Sequence, residues 1–438
     1  MSSRFALCGI AASIAVSAVC QNAQAIPLID TPDTHVSFEG LAAYGLFNSR
    51  KNYDGTEGGS HWQEGFIKYG VKADTALGTA GTAYGAFGLV SSGTWGDGDA
   101  GGFTDGSERT TKIEDASLGW RSGDVFSALG KDGVDLSFGR QIFKAGQGFL
   151  INDDGPNLGK GLADGQLNRG GAYYLGARHS FDRTAVVRLG GSEGLHGSAA
   201  WLKSDNRAQA ETELAVGTLE YTQDIGTLGL TYIHGLDVVD QWASEFQQRR
   251  DGMDVYSIRG DGNAGIENAN FAFEYAVEDA KGDKETGWYA EAGYRFADVF
   301  WTPSLTARYT RYSQNWDPLF TGYSTGYGTW FQGEVAANYA GPFNSNTEIK
   351  HLALKVNPIE TLTLGVLYFN FNTIGGRDQL NQDADELDLY AEWVVSPNLI
   401  ITPLVGLYQP DRALGTGGNQ SNGNGTNVYS QLTVAVPF

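Results

Sequence analysis

The sequence predicts an all-β fold, a transmembrane antiparallel up-and-down β-barrel of eighteen strands, with sixteen strands as the alternative. Segments with a two-residue hydrophobic period recur along the chain, aromatic residues and glycine are abundant, and beyond residue 25 no apolar run is long enough for a membrane helix. Only alternate residues of a barrel strand face lipid, so such a protein can have the negative mean hydropathy found here. Because an open sheet edge is unstable in lipid, the strands should close into a ring. These observations predict the cell outer membrane of a Gram-negative bacterium.

The N-terminal residues have the pattern of a secretion signal. Residues 5–20 are small and apolar, and residues 23–25 (Ala-Gln-Ala) form a small-x-small cleavage site. A membrane anchor is one alternative, but the apolar stretch is shorter than the roughly 20 residues that span a bilayer. A lipoprotein modified at Cys20 is another, although Val19 stands where such sites have Gly or Ala. The predicted domains are a signal peptide, 1–25, and an outer-membrane β-barrel, 26–438.

Composition narrows the class of protein further. The chain has 61 Gly, 21 Tyr, 22 Phe and 10 Trp, which suits turns, twisted strands and aromatic girdles at the membrane interface. Both cysteines, Cys8 and Cys20, lie in the predicted signal, so the mature chain can pass an oxidising periplasm without wrong disulfides. The net charge of −21 disfavours a nucleic-acid binder, so no nucleic acid is predicted as a partner.

Alternation is clearest in residues 270–278, 288–296 and 386–395. In the first segment Phe271 and its same-parity neighbours are apolar, whereas the opposite face is small or charged, which favours a wet lumen over a soluble β-sandwich. Nineteen candidate strands begin near Val36, Trp62, Thr79, Lys112, Gly133, Gly171, Arg183, Leu195, Thr212, Thr227, Asn270, Glu285, Pro303, Trp330, Glu348, Leu362, Glu386, Asn398 and Thr426. Bacterial barrels have even strand numbers, so one candidate should not span, and the short segment from Arg183 is the weakest.

The connections between candidate strands differ in length. Short, turn-forming links at residues 357–358 and 396–398 are predicted to lie on the periplasmic side. Longer polar stretches are predicted to be extracellular loops; they are 96–107, 241–265, 315–329, 375–385 and 414–426.

The C-terminal segment, 427–438, fixes the frame of the last strand. It ends on Phe438, an aromatic residue suited to the membrane interface, and barrels of this compartment commonly end in this way so that the assembly machinery can read the strand. Outer-membrane lipid and the barrel-assembly machinery are therefore predicted partners. The frame places Val434 and Val436 toward lipid and Thr433 and Ala435 toward the lumen.

Sequence patterns for covalent chemistry are missing. The chain has no G-x-S-x-G elbow, H-E-x-x-H zinc helix or P-loop, and its six histidines have no metal-ligand spacing. The sequence therefore predicts no enzyme, no catalytic residue, no metal and no cofactor. An outer-membrane hydrolase and an adhesin are the alternatives from other classes.

The stretch from Gly139 to Gly171 is too long for a hairpin turn. It combines the apolar residues Phe149, Leu150 and Ile151 with charges of both signs. A loop with an apolar core folds against a surface, and in a barrel that surface is the inner wall. We hypothesise that residues 145–169 bend into the lumen and narrow it; an ordinary external loop is the alternative.

Strand parity suggests further residues inside the lumen. Facing acids and bases there could bind sugar hydroxyls or an ionic solute, or could neutralise each other. Arg140 has the parity of the lipid-facing Phe138 unless a bulge intervenes. The positions with lumen parity are Glu64, Lys68, Lys72, Glu291, Arg295, Arg308, Lys355, Glu386, Asp388 and Glu392.

Three patches of the chain resemble the alginate export family of barrels. They are G-R-Q at residues 139–141 before a Gly-rich loop, the stretch 305–320, and the strand 386–390 followed by residues 398–399. The resemblance implies an eighteen-stranded, monomeric barrel with a basic lumen, gated by loops, that passes a polyuronate outward.

The predicted function is that of an outer-membrane porin or exporter for a hydrophilic solute, with an anionic polysaccharide as the candidate that the resemblance implies. A general or nutrient-specific diffusion porin for small solutes is the alternative. The predicted solute-binding or pore-lining residues are Arg140, Lys144, Lys160, Arg169, Arg295 and Arg308.

Overall fold

A closed antiparallel ring forms the whole wall of the molecule. The computed structural model describes residues 25–322, 332–341, 343–376 and 380–438, so the predicted signal lies almost entirely outside the described residues. In these ranges β2 to β19 each pair with the next strand, and β19 pairs with β2, which gives the predicted eighteen-strand barrel. A further short strand, β1, pairs with the start of β2.

The strands are β1 Ile26–Asp30, β2 Thr34–Ser49, β3 Ser60–Ala76, β4 Thr82–Gly96, β5 Arg109–Arg121, β6 Val134–Gln141, β7 Phe181–Leu189, β8 Gly194–Lys203, β9 Glu213–Gln223, β10 Gly226–Asp237, β11 Asp254–Gly262, β12 Ala269–Ala280, β13 Asp283–Arg295, β14 Ser304–Tyr312, β15 Thr347–Ile359, β16 Leu362–Thr373, β17 Ala384–Ser396, β18 Leu399–Pro410 and β19 Asn427–Pro437. Short helical pieces occur in the connections; they are the α-helical turn Glu245–Gln248, the π-helix Ala336–Ala340, and the 3-10 turns Gly78–Ala80, Ser127–Leu129, Ala163–Gly165, Arg207–Gln209 and Leu414–Thr416. No helix in the described ranges is long and apolar enough to cross a membrane.

The spanning strands are not the set that the sequence predicted. The candidate near Gly171 is wrong, because that residue lies in the β6–β7 connection and the apolar residues after it are buried in the lumen instead of pairing with a neighbouring strand. The candidate near Trp330 begins outside the described residues, and residues 332–340 form turns and a π-helix. The weakest candidate, from Arg183, does span, as β7.

Strand β11 was not predicted at all. It lies within residues 241–265, which the sequence predicted as one external loop. Its lumen face carries Arg259 and Asp261. Its lipid face carries Gly260 and Gly262, so only Tyr256 and Ile258 mark that face. The weak alternation of a half-polar strand therefore hid it.

The two faces of the wall have the predicted character. On β12, Phe271, Phe273 and Tyr275 are exposed on the outside, whereas Ala272 and Glu274 are buried inside. On the last strand, Val434 and Val436 face outward, whereas Thr433 and Ala435 are buried inside. The frame that Phe438 predicted is therefore confirmed.

Connection lengths orient the barrel in the membrane. On one side the chain turns within residues 77–81, 190–193, 224–225, 360–361 and 397–398, whereas the other side carries the connections 142–180 and 313–346. Short turns belong to the periplasmic side of such barrels. The predicted short links near residues 357–358 and 396–398 lie on that side.

Phe438 secures the seam between the last strand and β2. Its backbone N–H donates to the Gly40 carbonyl at 2.9 Å, and the Gly40 N–H donates to the Phe438 carbonyl at 2.7 Å. A Cβ atom at position 40 would lie 2.1 Å from the Phe438 ring, so only glycine leaves room for the aromatic residue.

The start of the mature chain remains a prediction. Strand β1 begins at Ile26, directly after the predicted cleavage site, so cleavage there would leave every described strand intact. Intact-mass spectrometry of the protein from outer membranes should give a chain that starts at Ile26. A mature chain that begins inside β1, or that keeps residues 1–25, would contradict the predicted domain boundary.

Candidate functional site

The connection between β6 and β7, residues 142–180, lies inside the barrel; we call it the inner loop. Its apolar residues are buried, and the Phe149 ring lies 5.3 Å from the Tyr289 ring and 5.8 Å from the Tyr312 ring on the opposite wall. Next to the end of the inner loop, Phe181 at the start of β7 packs against Phe320 of the β14–β15 connection, with 5.1 Å between ring centroids. Burying each such ring stabilises the loop by about 2 kcal/mol, so the lumen is narrowed by a packed insert.

The inner loop also reaches the strands next to the seam. The Tyr174 hydroxyl donates to Glu334 at 2.6 Å and accepts from the Gln431 side-chain amide at 2.7 Å. The Tyr173 hydroxyl donates to the Asn338 carbonyl at 2.9 Å. Glu334 and Asn338 belong to residues 332–341, which we call the lumen insert. The lumen insert therefore packs against the inner loop inside the barrel.

Glutamates on or beside the wall strands hold the inner loop by its backbone. Glu64 on β3 accepts from the Leu175 N–H at 3.0 Å, and Glu114 on β5 accepts from the Ser180 N–H at 2.9 Å. Just before β5, Glu108 accepts from the Lys160 N–H at 2.7 Å. Hydrogen bonds of this kind contribute about 0.5–1.5 kcal/mol each, so these acids together fix the loop against the wall.

Two more glutamates do the same for the β14–β15 connection. Glu386 on β17 accepts from the Val335 N–H at 2.6 Å and from the Ala336 N–H at 2.8 Å, and Glu278 on β12 accepts from the Asp317 N–H at 2.9 Å. We call Glu64, Glu108, Glu114, Glu278 and Glu386 the wall glutamates. Part of the acidic excess of the chain therefore serves to position its inner segments.

Three guanidinium groups converge on one carboxylate in the β8–β9 connection. Asp205 lies 2.9 Å from Arg140 Nη1, 3.1 Å from Arg169 Nη1 and 3.1 Å from Arg178 Nη2. The arginine side chains are almost completely buried, whereas about a third of the Asp205 side chain is exposed. The lumen therefore meets this cluster through its carboxylate, with the positive charges behind it.

Arg140 reaches the cluster because of a backbone irregularity. The pairing of β6 with β7 shifts between Gly139 and Gln141, and Gly139 has a φ of +112°. This β-bulge turns the Arg140 side chain into the lumen, although strict alternation would have placed it on the lipid side with Phe138. The β-bulge that the sequence allowed as an alternative is therefore present.

Each of these arginines also meets a second acid. Arg169 Nη1 lies 3.1 Å from Asp154, which is fully buried and accepts from the Ser204 hydroxyl at 2.8 Å. Burial raises the pKa of Asp154 to about 6, although Arg169 acts in the opposite direction. For Asp205, burial acts upward, but the guanidinium groups of Arg169, Arg140 and Arg178 hold the pKa well below its usual range. Asp205 is therefore the permanently ionised centre of the cluster.

A polar cavity of about 360 Å³ lies at the periplasmic end of the β6–β9 wall, and we call it the vestibule. The turns β5–β6 and β7–β8 line its mouth, and the start of the inner loop lies against it. Its charged lining residues are Lys131, Lys144, Arg188, Asp132, Asp135 and Glu220. Both signs of charge are thus available to a solute at this end of the lumen.

The structure brings together only some of the residues predicted to bind solute. Arg140 and Arg169 share the cluster at Asp205, and Lys144 lines the vestibule. Lys160 is exposed on the inner loop, where its ammonium group donates to the Ser107 hydroxyl at 2.9 Å.

The other two predicted residues lie elsewhere on the wall. Arg308 on β14 is buried, with Nη1 3.4 Å from Glu291 Oε2 on β13. Arg295 is exposed at the periplasmic end of β13. Neither belongs to the Asp205 cluster.

Sequence reasoning missed Arg178, Asp205 and the backbone role of the wall glutamates. Arg178 and Asp205 belong to connections, which have no alternation to place them. Glu64 and Glu386 were predicted to face the lumen, but a main-chain donor leaves no pattern in the sequence of its acceptor. Within the described ranges no group of three or more His, Asp or Glu side chains has the geometry to hold a metal ion.

Solved structures share the barrel. The chain is similar to Pseudomonas aeruginosa OccD3 (OpdP), with 15% identity, a TM-score of 0.56 and coverage of 95% of this chain and 93% of that one. It is also similar to a BenF-like porin from Pseudomonas fluorescens Pf-5, with 10% identity, a TM-score of 0.57 and coverage of 92% and 98%. P. aeruginosa OccK11 (OpdR) has 12% identity, a TM-score of 0.55 and coverage of 92% and 96%. No known family model and no curated protein sequence matches the chain.

At these identities the likeness shows the fold. The fold, the apolar exterior and the closed ring place the chain in the outer membrane of a Gram-negative bacterium. The comparisons support an outer-membrane β-barrel and give no support to the resemblance to the alginate export family.

Proposed function

We propose that the barrel is a diffusion porin for small hydrophilic solutes. The observation that carries this proposal is the narrowed lumen: the inner loop and the lumen insert pack inside the ring, and the vestibule has a volume of about 360 Å³. Cavities of this size suit solutes of a few hundred daltons. One solved structure with the same fold is described as a porin, which agrees with this function.

We propose different roles for the six predicted solute-binding residues. Lys144, Lys160 and Arg295 are exposed and would contact a passing solute directly. Arg140 and Arg169 are buried behind Asp205 and would act by setting the local field, and Arg308 would do so through Glu291. Charges of both signs favour polar or zwitterionic solutes over a single charge class.

Export of an anionic polysaccharide fits this lumen less well. A continuous polymer needs an unobstructed path, but packed aromatic residues of the inner loop cross the ring. A polyanion also needs a basic wall, whereas each arginine of the Asp205 cluster is paired with acids.

Liposome swelling would test the proposed function. Proteoliposomes should swell in isotonic monosaccharides and small amino acids, and the rate should fall steeply from disaccharides to tetrasaccharides because the inner loop narrows the lumen. Liposomes without protein are the control. Equal swelling rates for small and large saccharides would contradict the proposal, and so would the absence of swelling with any solute.

A further inference from the structure

Carboxyl groups hold the lumen insert, residues 332–341, in place. Glu386 on β17 accepts hydrogen bonds from the Val335 and Ala336 N–H groups. Glu334 on the insert accepts from the Tyr174 hydroxyl of the inner loop at 2.6 Å. Asp388 is fully buried, and its carboxyl faces the Glu386 carboxyl and the Glu334 backbone. A Cβ atom at Gly406 would lie 2.8 Å from Asp388 Oδ1 and 3.2 Å from a methyl carbon of Val335, so this carboxyl lies beside the insert.

Among the described residues, no positive charge compensates these three acids. Within the part of the chain that the structure describes, neither Glu334 nor Glu386 nor Asp388 forms an ion pair, whereas the paired arginines of the lumen belong to the wall from β6 to β14. The other titratable groups around the three acids are themselves acids or phenols. They are Tyr390 on β17, Tyr408 on β18, Tyr429 on β19, Glu64 on β3, Tyr174 on the inner loop and Tyr339 on the insert.

Several buried carboxylates without a cation cannot all be ionised at low cost. Protonation removes this repulsion, and burial raises the pKa of Glu334 to about 8. A solvent-exposed Glu has a pKa of about 4.3. The docked insert therefore binds a proton that the released insert loses. Docking is most stable below the ordinary carboxyl pKa and weakens as pH rises toward the docked value, by up to tenfold in its equilibrium constant per pH unit for each such proton.

We propose that the lumen insert is a proton-held plug, which stays docked while the cluster of Glu334, Glu386 and Asp388 keeps its protons and leaves β17 when they are lost. The closed state depends on the positions of the three acids, since one lies on the insert and two lie on the wall that the insert covers. Release would widen the path between the inner loop and the wall from β17 to β19. This regulation rests on the proposed porin function, because it concerns the same lumen.

Conductance in planar bilayers at pH values from about 5 to 9 would test the plug. The unmodified barrel should conduct more at alkaline pH. The double variant Glu334→Gln/Asp388→Asn copies the protonated state and should keep the low conductance at every pH; Glu386 is left in place because it accepts two backbone N–H groups. The matched control is Asp385→Asn, which removes the same charge from the outer face of the same strand, where Asp385 accepts from Tyr368, and it should respond like the unmodified barrel.

A labelling experiment separates failure of the plug from failure of the porin function. Ala340 is fully buried in the insert, and the predicted mature chain has no cysteine, so Ala340→Cys provides a single reporter. Its rate of reaction with a soluble maleimide should rise more steeply with pH in the unmodified background than in the double variant. The ratio of the two rates cancels the titration of the thiol itself. A ratio that does not change with pH would overturn the plug, whether or not the barrel conducts; a pH-dependent ratio in a barrel without conductance would instead overturn the porin function.

Discussion

Removing residues 147–162 from the inner loop is expected to raise the single-channel conductance several-fold. This part of the loop contains Phe149, Leu150 and Ile151, whose side chains are buried across the lumen. The wall glutamates Glu64 and Glu114 hold residues after the deletion, so the loop ends would stay attached. Planar-bilayer recordings of the purified variant would measure the change.

A pair of single substitutions provides the graded version of this experiment. Phe149→Ala removes a buried ring and about 3–5 kcal/mol of packing, so it should produce larger current fluctuations and a moderate increase in conductance. Phe138→Ala is the control, because Phe138 is 55% exposed on the lipid face of β6. If the deletion leaves the conductance unchanged, the inner loop does not limit the current path.

Replacing Asp205 with Asn should shift the ion selectivity toward anions. Asp205 is the carboxylate that three buried arginines share, and their guanidinium groups hold its pKa well below the usual range. The variant therefore loses one negative charge at every practical pH, while the positive charges of Arg140, Arg169 and Arg178 stay behind it. Reversal potentials in a KCl gradient would show a higher chloride preference.

The same substitution should also weaken the structure around the cluster. A carboxyl whose folded pKa is depressed stabilises the folded state at neutral pH, and this contribution is lost only as the pH falls through the folded value. The Asn variant would lose it at all pH values and should unfold at a lower temperature in a heat-modifiability gel. Glu213→Gln is the matched control, since Glu213 pairs with Lys203 on the neighbouring strand outside the cluster. An unchanged reversal potential in D205N would show that the permeating ions do not pass this cluster.

The repeating pattern of lipid-facing residues made the barrel predictable. Strands such as β12 and β19 have one apolar and one small or polar face, so alternation placed both their ends and their orientation. Alternation does not reveal a segment whose residues lie in surroundings that depart from this pattern. β11 has too few apolar residues to stand out, and the apolar run after Gly171 packs in the lumen and not in lipid.

The candidate site was less predictable for a different physical reason. Its contacts join connections that are distant in sequence, as between Arg178 and Asp205, and a wall glutamate bound to a backbone N–H selects no particular side chain as its partner. Arg140 was identified as a candidate, but its direction depended on the bulge at Gly139, which the sequence allowed and did not require.

The bond between Tyr174 and Gln431 joins residues 257 positions apart, and Gln431 belongs to the last strand to be made. The inner loop emerges from synthesis long before this partner exists, so its docking can be completed only after β19 has joined β2. Contacts of such large sequence separation form late in folding. Locking of the loop is therefore coupled to completion of the ring, and an unfinished barrel would keep its central constriction loose.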